Sequence, residues 1–305
     1  MGSQTGSADA LRAFLTEEAG VKTEAPEEGT RPERSGRTEC ERPNGQVYLG
    51  RAIPPNELGA SDDVELLRRC RERRLFVRMF SAPGTGKSAA LEAAFGDQLV
   101  TVVISEGTDE DKLFGGYRPD PSDAGKFAWV DGPVKRALEE GRPLCLDEVS
   151  AGHPRVLSRL NSLFDGRLRM TLEEHEGEEI LADDGFWAAI TYNPGIVGFE
   201  LSPALESRFS FAIEYTTDAA TARAAGVPAK ALKLAKRLWQ LREKAELEWA
   251  PEMRELITFK RVAEALGESW AARNLVGQAP EECRDAVGAE AESVFGAEGA
   301  RGLRL

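Results

Sequence analysis

The segment Ala82-Pro-Gly-Thr-Gly-Lys-Ser88 follows the apolar run Leu75–Phe80 and leads into Ala89-Ala-Leu-Glu-Ala-Ala94, a helical stretch. A strand, a Gly-rich turn and a helix start in that order form a cradle for phosphate. The loop through Pro83, Gly84, Thr85 and Gly86 would offer its backbone N–H groups, and the helix its positive end, to phosphate oxygens. Lys87 would reach the β- and γ-phosphates, and Ser88 would place its hydroxyl on Mg²⁺. The usual pattern opens with Gly, whereas this chain has Ser81 there, which leaves the path of the loop open at that position.

Three further stretches could complete the chemistry. Pro143-Leu-Cys-Leu-Asp-Glu148 is an apolar strand ending in two acids. Beside a phosphate loop, Asp147 would hold the metal, and Glu148 would orient and deprotonate a water. Phe186–Pro194 is an apolar strand with a polar tip, where Asn193 could touch both the γ-phosphate and that water; Asn193-Pro194 is also a turn starter. Ser202-Pro-Ala-Leu-Glu-Ser-Arg208 is a capped helical turn with Pro203 at its first position. Arg208, just before the last strand, could be an ordinary surface charge, but its place between that turn and the strand suits an arginine finger on a neighbouring subunit's γ-phosphate.

These residues need a scaffold. Apolar runs at Leu75–Phe80, Leu99–Ile104, Pro143–Leu146, Phe186–Thr191 and Phe209–Tyr215 alternate with helical patterns at about Asp62–Arg73, Val134–Glu140 and Val156–Phe164. That alternation predicts an α/β fold with a parallel sheet covered on both faces. After Tyr215 the strand signals stop. Helices are expected at Pro228–Glu248 and Thr258–Val276, with a weaker one at Pro280–Phe295, so a small all-α domain follows. Residues 1–43 are polar and charged and read as a disordered tail, with one short helical pattern at Ala8–Ala19. The domain reading is therefore a tail over 1–43, a nucleotide-binding α/β domain over 44–216 and a helical lid over 217–305.

Composition narrows the function classes. The chain has 305 residues, 41% of them hydrophobic, and a formal net charge of −13. A nucleic-acid binder usually shows a basic balance or stripe, so that class loses ground. No apolar run approaches the roughly 20 residues that span a bilayer, and no signal-peptide core opens the chain, so a soluble, cytoplasmic protein is expected. Four dispersed cysteines (Cys40, Cys70, Cys145, Cys283) and two histidines (His153, His175) form no spacing for a metal site or disulfide framework, so any metal would arrive with the nucleotide.

Together these stretches, with Asp111-Lys-Leu-Phe-Gly115, Asp131-Gly-Pro133 and Leu201–Phe209, resemble the AAA+ ATPases of the MoxR type, related to CbbQ/NorQ and midasin, over roughly residues 46–275. The resemblance implies a P-loop core with Walker A at Lys87 and Ser88, Walker B at Asp147 and Glu148, sensor 1 at Asn193 and the finger at Arg208. It also implies a sensor 2 arginine in the lid, Arg254 or alternatively Arg261. A helix-2 insert is expected at about 114–130 and a pre-sensor-1 hairpin at about 166–182, its tip Glu173–Glu179 rich in glutamate. The cofactors implied are ATP and Mg²⁺. The partners implied are other copies of the chain in a hexameric ring and a client protein, a von Willebrand A-domain protein being the family's frequent companion. A slow nucleotide-gated assembly switch and a nucleic-acid or GTP-dependent motor stand as alternatives.

Overall fold

A computed structural model describes residues 37–303, except 58, 124, 197 and 198; the helical pattern at Ala8–Ala19 and most of the tail lie outside the described residues. Along the chain come β1 (Glu39–Glu41), β2 (Val47–Leu49), α1 (Asp63–Glu72), β3 (Val77–Phe80), α2 (Lys87–Phe95), β4 (Val100–Val103), α3 (Glu110–Phe114), β5 (Gly115–Pro119), β6 (Phe127–Asp131), α4 (Pro133–Glu139) and β7 (Pro143–Asp147). Then follow α5 (Pro154–Leu163), β8 (Arg169–Leu172), β9 (Glu178–Leu181), β10 (Trp187–Tyr192), α6 (Pro203–Glu206) and β11 (Phe211–Glu214). The rest is helical: α7 (Ala219–Ala224), α8 (Ala229–Glu243), α9 (Met253–Leu266), α10 (Glu268–Gln278) and α11 (Arg284–Phe295).

Five strands form one parallel sheet in the order β11-β3-β10-β7-β4. The continuous apolar runs follow from this arrangement, because a strand covered by helices on both faces has no solvent side to make polar. β10 lies at the centre and every one of its residues is buried. Its Trp187 is fully buried, and the indole N–H donates to the Leu75 carbonyl at 2.6 Å. Truncating a residue so placed to Ala costs about 3–5 kcal/mol. Parallel strands put all their C-terminal ends on one edge. The turns after β3, β7 and β10 therefore open side by side, at the edge where ligands bind in open α/β sheets.

The buried apolar residues fall into two clusters. One draws on residues from Ala60 to Tyr215 and wraps the sheet; the other draws on Ala222 to Ala291 and holds the C-terminal helices together. The junction lies at Thr216–Thr217, where β11 has ended and Asp218 caps α7 by accepting from the Ala220 and Thr221 N–H groups.

Several element boundaries differ from the sequence expectation. The pattern over Thr258–Val276 is two helices, α9 and α10, parted at Gly267 with φ 94°, a left-handed conformation that favours glycine. α9 also begins earlier, at Met253, where Glu252 and Glu255 form a capping box. α8 stops at Glu243, with Ala245 in the left-handed region at φ 57°. Within the stretch assigned to the tail, Glu39–Glu41 is a strand, ordered by antiparallel pairing with Val47–Leu49; its neighbour Arg42 is joined to Glu92 of α2.

Two small hairpins interrupt the α/β alternation, β5–β6 and β8–β9. Gly115 opens the first at φ 128°, where a Cβ would lie 2.6 Å from the Val130 carbonyl oxygen, so only glycine fits. The hairpins touch through side chains. Trp129 stacks on His175 at 4.2 Å and 11°, with the Tyr117 ring edge-on to both. Beneath them the Lys135 amine, 6% exposed, reaches Asp131 at 2.8 Å, Glu139 at 3.2 Å and Glu178 at 3.3 Å. Burial alone would lower that amine's pKa, but hydrogen bonds to the three carboxylates outweigh it and hold the amine above its usual range. Among the described residues no helix is long and apolar enough to cross a membrane.

Candidate functional site

The loop between β3 and α2 turns on two glycines with positive φ, Gly84 at 85° and Gly86 at 104°. Ser81 is absent from the positive-φ positions, so its backbone does not demand the glycine of the usual pattern. Its side chain is buried, pairs with the Thr85 hydroxyl at 2.5 Å and accepts from the Lys87 amine at 2.8 Å. The amine also donates to the Ser81 and Ala82 carbonyls, at 3.3 Å each. In this arrangement Lys87 folds back along its own loop. Burial pushes the amine below the usual lysine range; the Asp147 and Glu148 carboxylates oppose that, and Arg254 reinforces it.

Asp147 ends β7, and the Ser88 hydroxyl donates to its two carboxylate oxygens at 3.1 and 3.0 Å. The Thr191 hydroxyl donates to the same carboxylate and accepts from the Glu148 N–H at 3.1 Å. Glu148 sits in the left-handed region at φ 57°, ψ 42°, an uncommon conformation for a residue with a side chain, of the kind that clusters at functional sites. One hydroxyl on β10 thus bonds the Asp147 carboxylate and the Glu148 backbone N–H at the end of the neighbouring strand. Thr191 was not singled out from the sequence, although a hydroxyl directly after the apolar Trp187–Ile190 run was a usable signal, since a buried polar group needs a partner.

Asn193 follows β10 directly, and its side-chain oxygen accepts from the Gly195 N–H at 2.9 Å, the turn-starting role. Lys87, Ser88, Asp147, Glu148, Thr191 and Asn193 all line one cavity of about 550 Å³. Pro83, Gly84 and Gly86 line it too, whereas Thr85 is buried beneath the loop. Arg254 and Arg261 are two turns apart on α9 and both line the cavity. The Arg254 N–H donates to the Gly84 carbonyl at 3.0 Å, and a Cβ on Gly84 would lie 3.2 Å from the Arg254 Cβ. The start of α9 is therefore docked on the phosphate loop by a backbone bond.

Arg208 lies apart. It does not line the cavity; its Nε donates to the Asn161 carbonyl at 2.7 Å and its Nη1 to the Ala204 carbonyl. The turn that carries it is capped by Ser202, which accepts from the Leu205 N–H at 3.2 Å.

Arg51 escaped sequence reasoning altogether, because one arginine in a Pro- and Gly-punctuated segment carries no pattern. Its guanidinium donates to the carbonyl of Thr85 in the loop and, at 2.7 Å, to that of Thr216 at the junction with the helical part; it also lies over the Tyr215 ring at 4.9 Å. Nearby, Asp63 accepts from the Tyr48 hydroxyl at 2.5 Å, the Arg51 N–H at 2.7 Å and the Tyr215 hydroxyl at 3.1 Å. Burial raises the pKa of that carboxyl, against the hydrogen bonds from Tyr48, Arg51 and Tyr215.

The donor set suits Mg²⁺. A serine hydroxyl and an aspartate on facing strand and helix ends supply hard oxygen ligands, and Mg²⁺ usually takes one or two protein oxygens with the remainder from phosphates and water.

Residues 80–209 match the AAA domain of the dynein-related subfamily. Protein NorQ of Paracoccus denitrificans (strain Pd 1222) is 32% identical over 165 residues, covering 52% of this chain and 60% of NorQ. The uncharacterized protein YojN of Bacillus subtilis (strain 168) is 34% identical over 132 residues, 41% of this chain and 43% of YojN. Midasin of Giardia intestinalis is 39% identical over 95 residues, 30% of this chain and 2% of midasin. The chain thus matches less than two thirds of the length of each of these relatives.

Proposed function

We propose, for a chain whose core is an AAA+ module of the MoxR type, that it hydrolyses ATP at sites shared between copies and uses the energy to remodel a partner protein. The observation that carries this reading is the convergence of three strand-end turns. Lys87 and Ser88, Asp147 and Glu148, and Asn193 line one cavity, while Arg208 lies outside it.

In this reading the triphosphate lies along the Ser81–Ser88 loop. The Lys87 amine leaves Ser81 and Ala82 for the β- and γ-phosphate oxygens, where the anionic charge restores its affinity for a proton. Ser88 and Asp147 would hold Mg²⁺, which would neutralise charge developing on the phosphates. Glu148 takes a proton from the attacking water, and Asn193 holds that water against the γ-phosphoryl group; the β–γ bridging oxygen departs with ADP. Arg254, with Arg261 as the alternative, would sense the nucleotide from the helical lid over residues 217–305 and move it against the α/β domain over 44–216. Arg208 would serve the γ-phosphate of a second copy, which requires an oligomer, and a hexameric ring fits the family. The client would be a protein, a von Willebrand A-domain protein among the candidates, and the setting the cytoplasm. The −13 charge and the glutamate-rich β8–β9 tip weigh against nucleic acid as substrate.

Two measurements test the proposal. Lys87→Ala is expected to lose ATP binding by calorimetry or fluorescent-nucleotide titration; retained micromolar affinity would remove the loop from the site. Turnover per chain is expected to rise with protein concentration as copies assemble. Turnover independent of concentration would remove the shared site.

A further inference from the structure

Arg78 lies on β3, three residues before Ser81, and belongs to none of the stretches that carry the chemistry. Its Nη1 donates to the Tyr192 hydroxyl at 3.0 Å and pairs with Glu206 Oε1 at 2.7 Å. Tyr192 immediately precedes Asn193, and Glu206 precedes Arg208 by two residues. The arginine side chain is 22% exposed and that of Glu206 44%, so the pair is partly open to solvent on the Glu206 side. The Tyr192 ring is itself fixed, stacking on Phe80 at 5.7 Å and 24° and contacting Phe199 at 5.8 Å. Arg78 also lies over the Phe80 ring at 5.7 Å, and the Ser81 N–H donates to the Tyr192 carbonyl at 3.3 Å. One guanidinium thereby joins the strand leading into the phosphate loop, the residue beside Asn193 and the turn that presents Arg208.

We propose that Arg78 is a positioning residue that sets how Arg208 is presented to a second copy of the chain, by tying Glu206 to Tyr192. The inference rests on the shared-site reading above. The turn is short, four residues from Pro203 to Glu206, and Arg208 is tied back to it through the Ala204 carbonyl. A shift at Tyr192 when Asn193 engages nucleotide would pass through Arg78 to Glu206 and move Arg208 with it. The occupancy of one copy's site would then tune the finger offered to the next. Arg78 touches no reacting atom in this scheme. Its loss misplaces the finger, and displacement by ~1 Å can lower turnover by up to about 10²-fold.

Mixed oligomers separate this role from a merely structural one. Glu148→Gln chains keep nucleotide and a normal finger but do not hydrolyse, and Arg208→Ala chains keep nucleotide but no finger. Mixing them should regain turnover, and failure of that control would overturn the shared-site reading itself. With the control active, Arg78→Met alone should turn over slowly with its ATP affinity unchanged. Mixed with Glu148→Gln it should regain turnover, because its own sites then receive a normal finger from a nucleotide-loaded copy. Mixed with Arg208→Ala it should not. Glu206→Gln, at a side chain 44% exposed and so tolerant of change, should repeat the pattern, and Arg78→Lys should partly restore it. Any other pattern overturns the proposal, above all recovery only with Arg208→Ala, which would make Arg78 act on its own chain's site. So would native turnover in both Arg78→Met and Glu206→Gln.

Discussion

Two cations in this molecule stand in opposite circumstances. Lys87 is drawn inward: its amine lies against the Ser81 and Ala82 carbonyls, its pKa pushed down by burial, in a cavity shared with Asp147 and Glu148. Arg208 is half-exposed, held by the Asn161 and Ala204 carbonyls, away from that cavity. The difference fits the proposed reading, in which one chain builds the binding half of a site and offers its remaining charge to a second copy. In that reading the cation inside the cavity serves its own chain's phosphate, and the one just after the Pro203–Glu206 turn would serve a neighbour's.

The largest effect should separate the two. Arg208→Ala is expected to leave ATP affinity intact and to cut steady-state turnover on the order of 10³–10⁵-fold; normal turnover would move the finger elsewhere, with Arg167 and Arg169 next to test. Within the cavity, Glu148→Gln should lower turnover by about 10²–10⁴-fold with nucleotide still bound. If turnover persists, another group is the base, and if the wild type itself barely turns over, the assembly-switch alternative gains. Thr191→Val removes the hydroxyl shared by Asp147 and the Glu148 N–H. An unsatisfied polar group costs about 1–3 kcal/mol, so turnover should fall by about 10- to 10²-fold, and an unchanged rate would mean the two acids hold their places without it. The smallest effect belongs to Ser81→Gly. This restores the usual loop letter, removes a hydroxyl partner of Lys87 and Thr85, and should change ATP affinity by less than about tenfold, one hydrogen bond's worth. A larger loss in titration would make Ser81 a required part of the loop.

How much was legible differed by region. The five parallel strands and the helices around them followed from apolar runs bounded by turn residues, since a strand covered on both faces must be apolar throughout. The helical part was read less well. Its amphipathic pattern ran unbroken across Gly267, because both α9 and α10 bury one face in the same cluster, and periodicity does not register a bend. The strand Glu39–Glu41 was missed because its pairing with Val47–Leu49, not its composition, orders it. Thr191 carried a signal that could have been used; Arg51 and Arg78 carried none, since each acts by bridging groups distant in sequence.

The sequence alone determined the class of chemistry. A loop spaced as Pro83–Ser88, with Asp147 and Glu148 ending an apolar strand, is a local pattern whose geometry is set by backbone rules and nearby residues. The tertiary structure decided which groups share the site and how they are held. Parallel pairing brings the ends of β3, β7 and β10 to one edge. The central position of β10 sets Thr191 between the loop and the acids. The backbone bond from Arg254 to Gly84 docks α9 on the loop, and the turn at Pro203–Glu206 holds Arg208 outside the cavity. Those relations join residues far apart in the chain, and only packing of the sheet and helices specifies them.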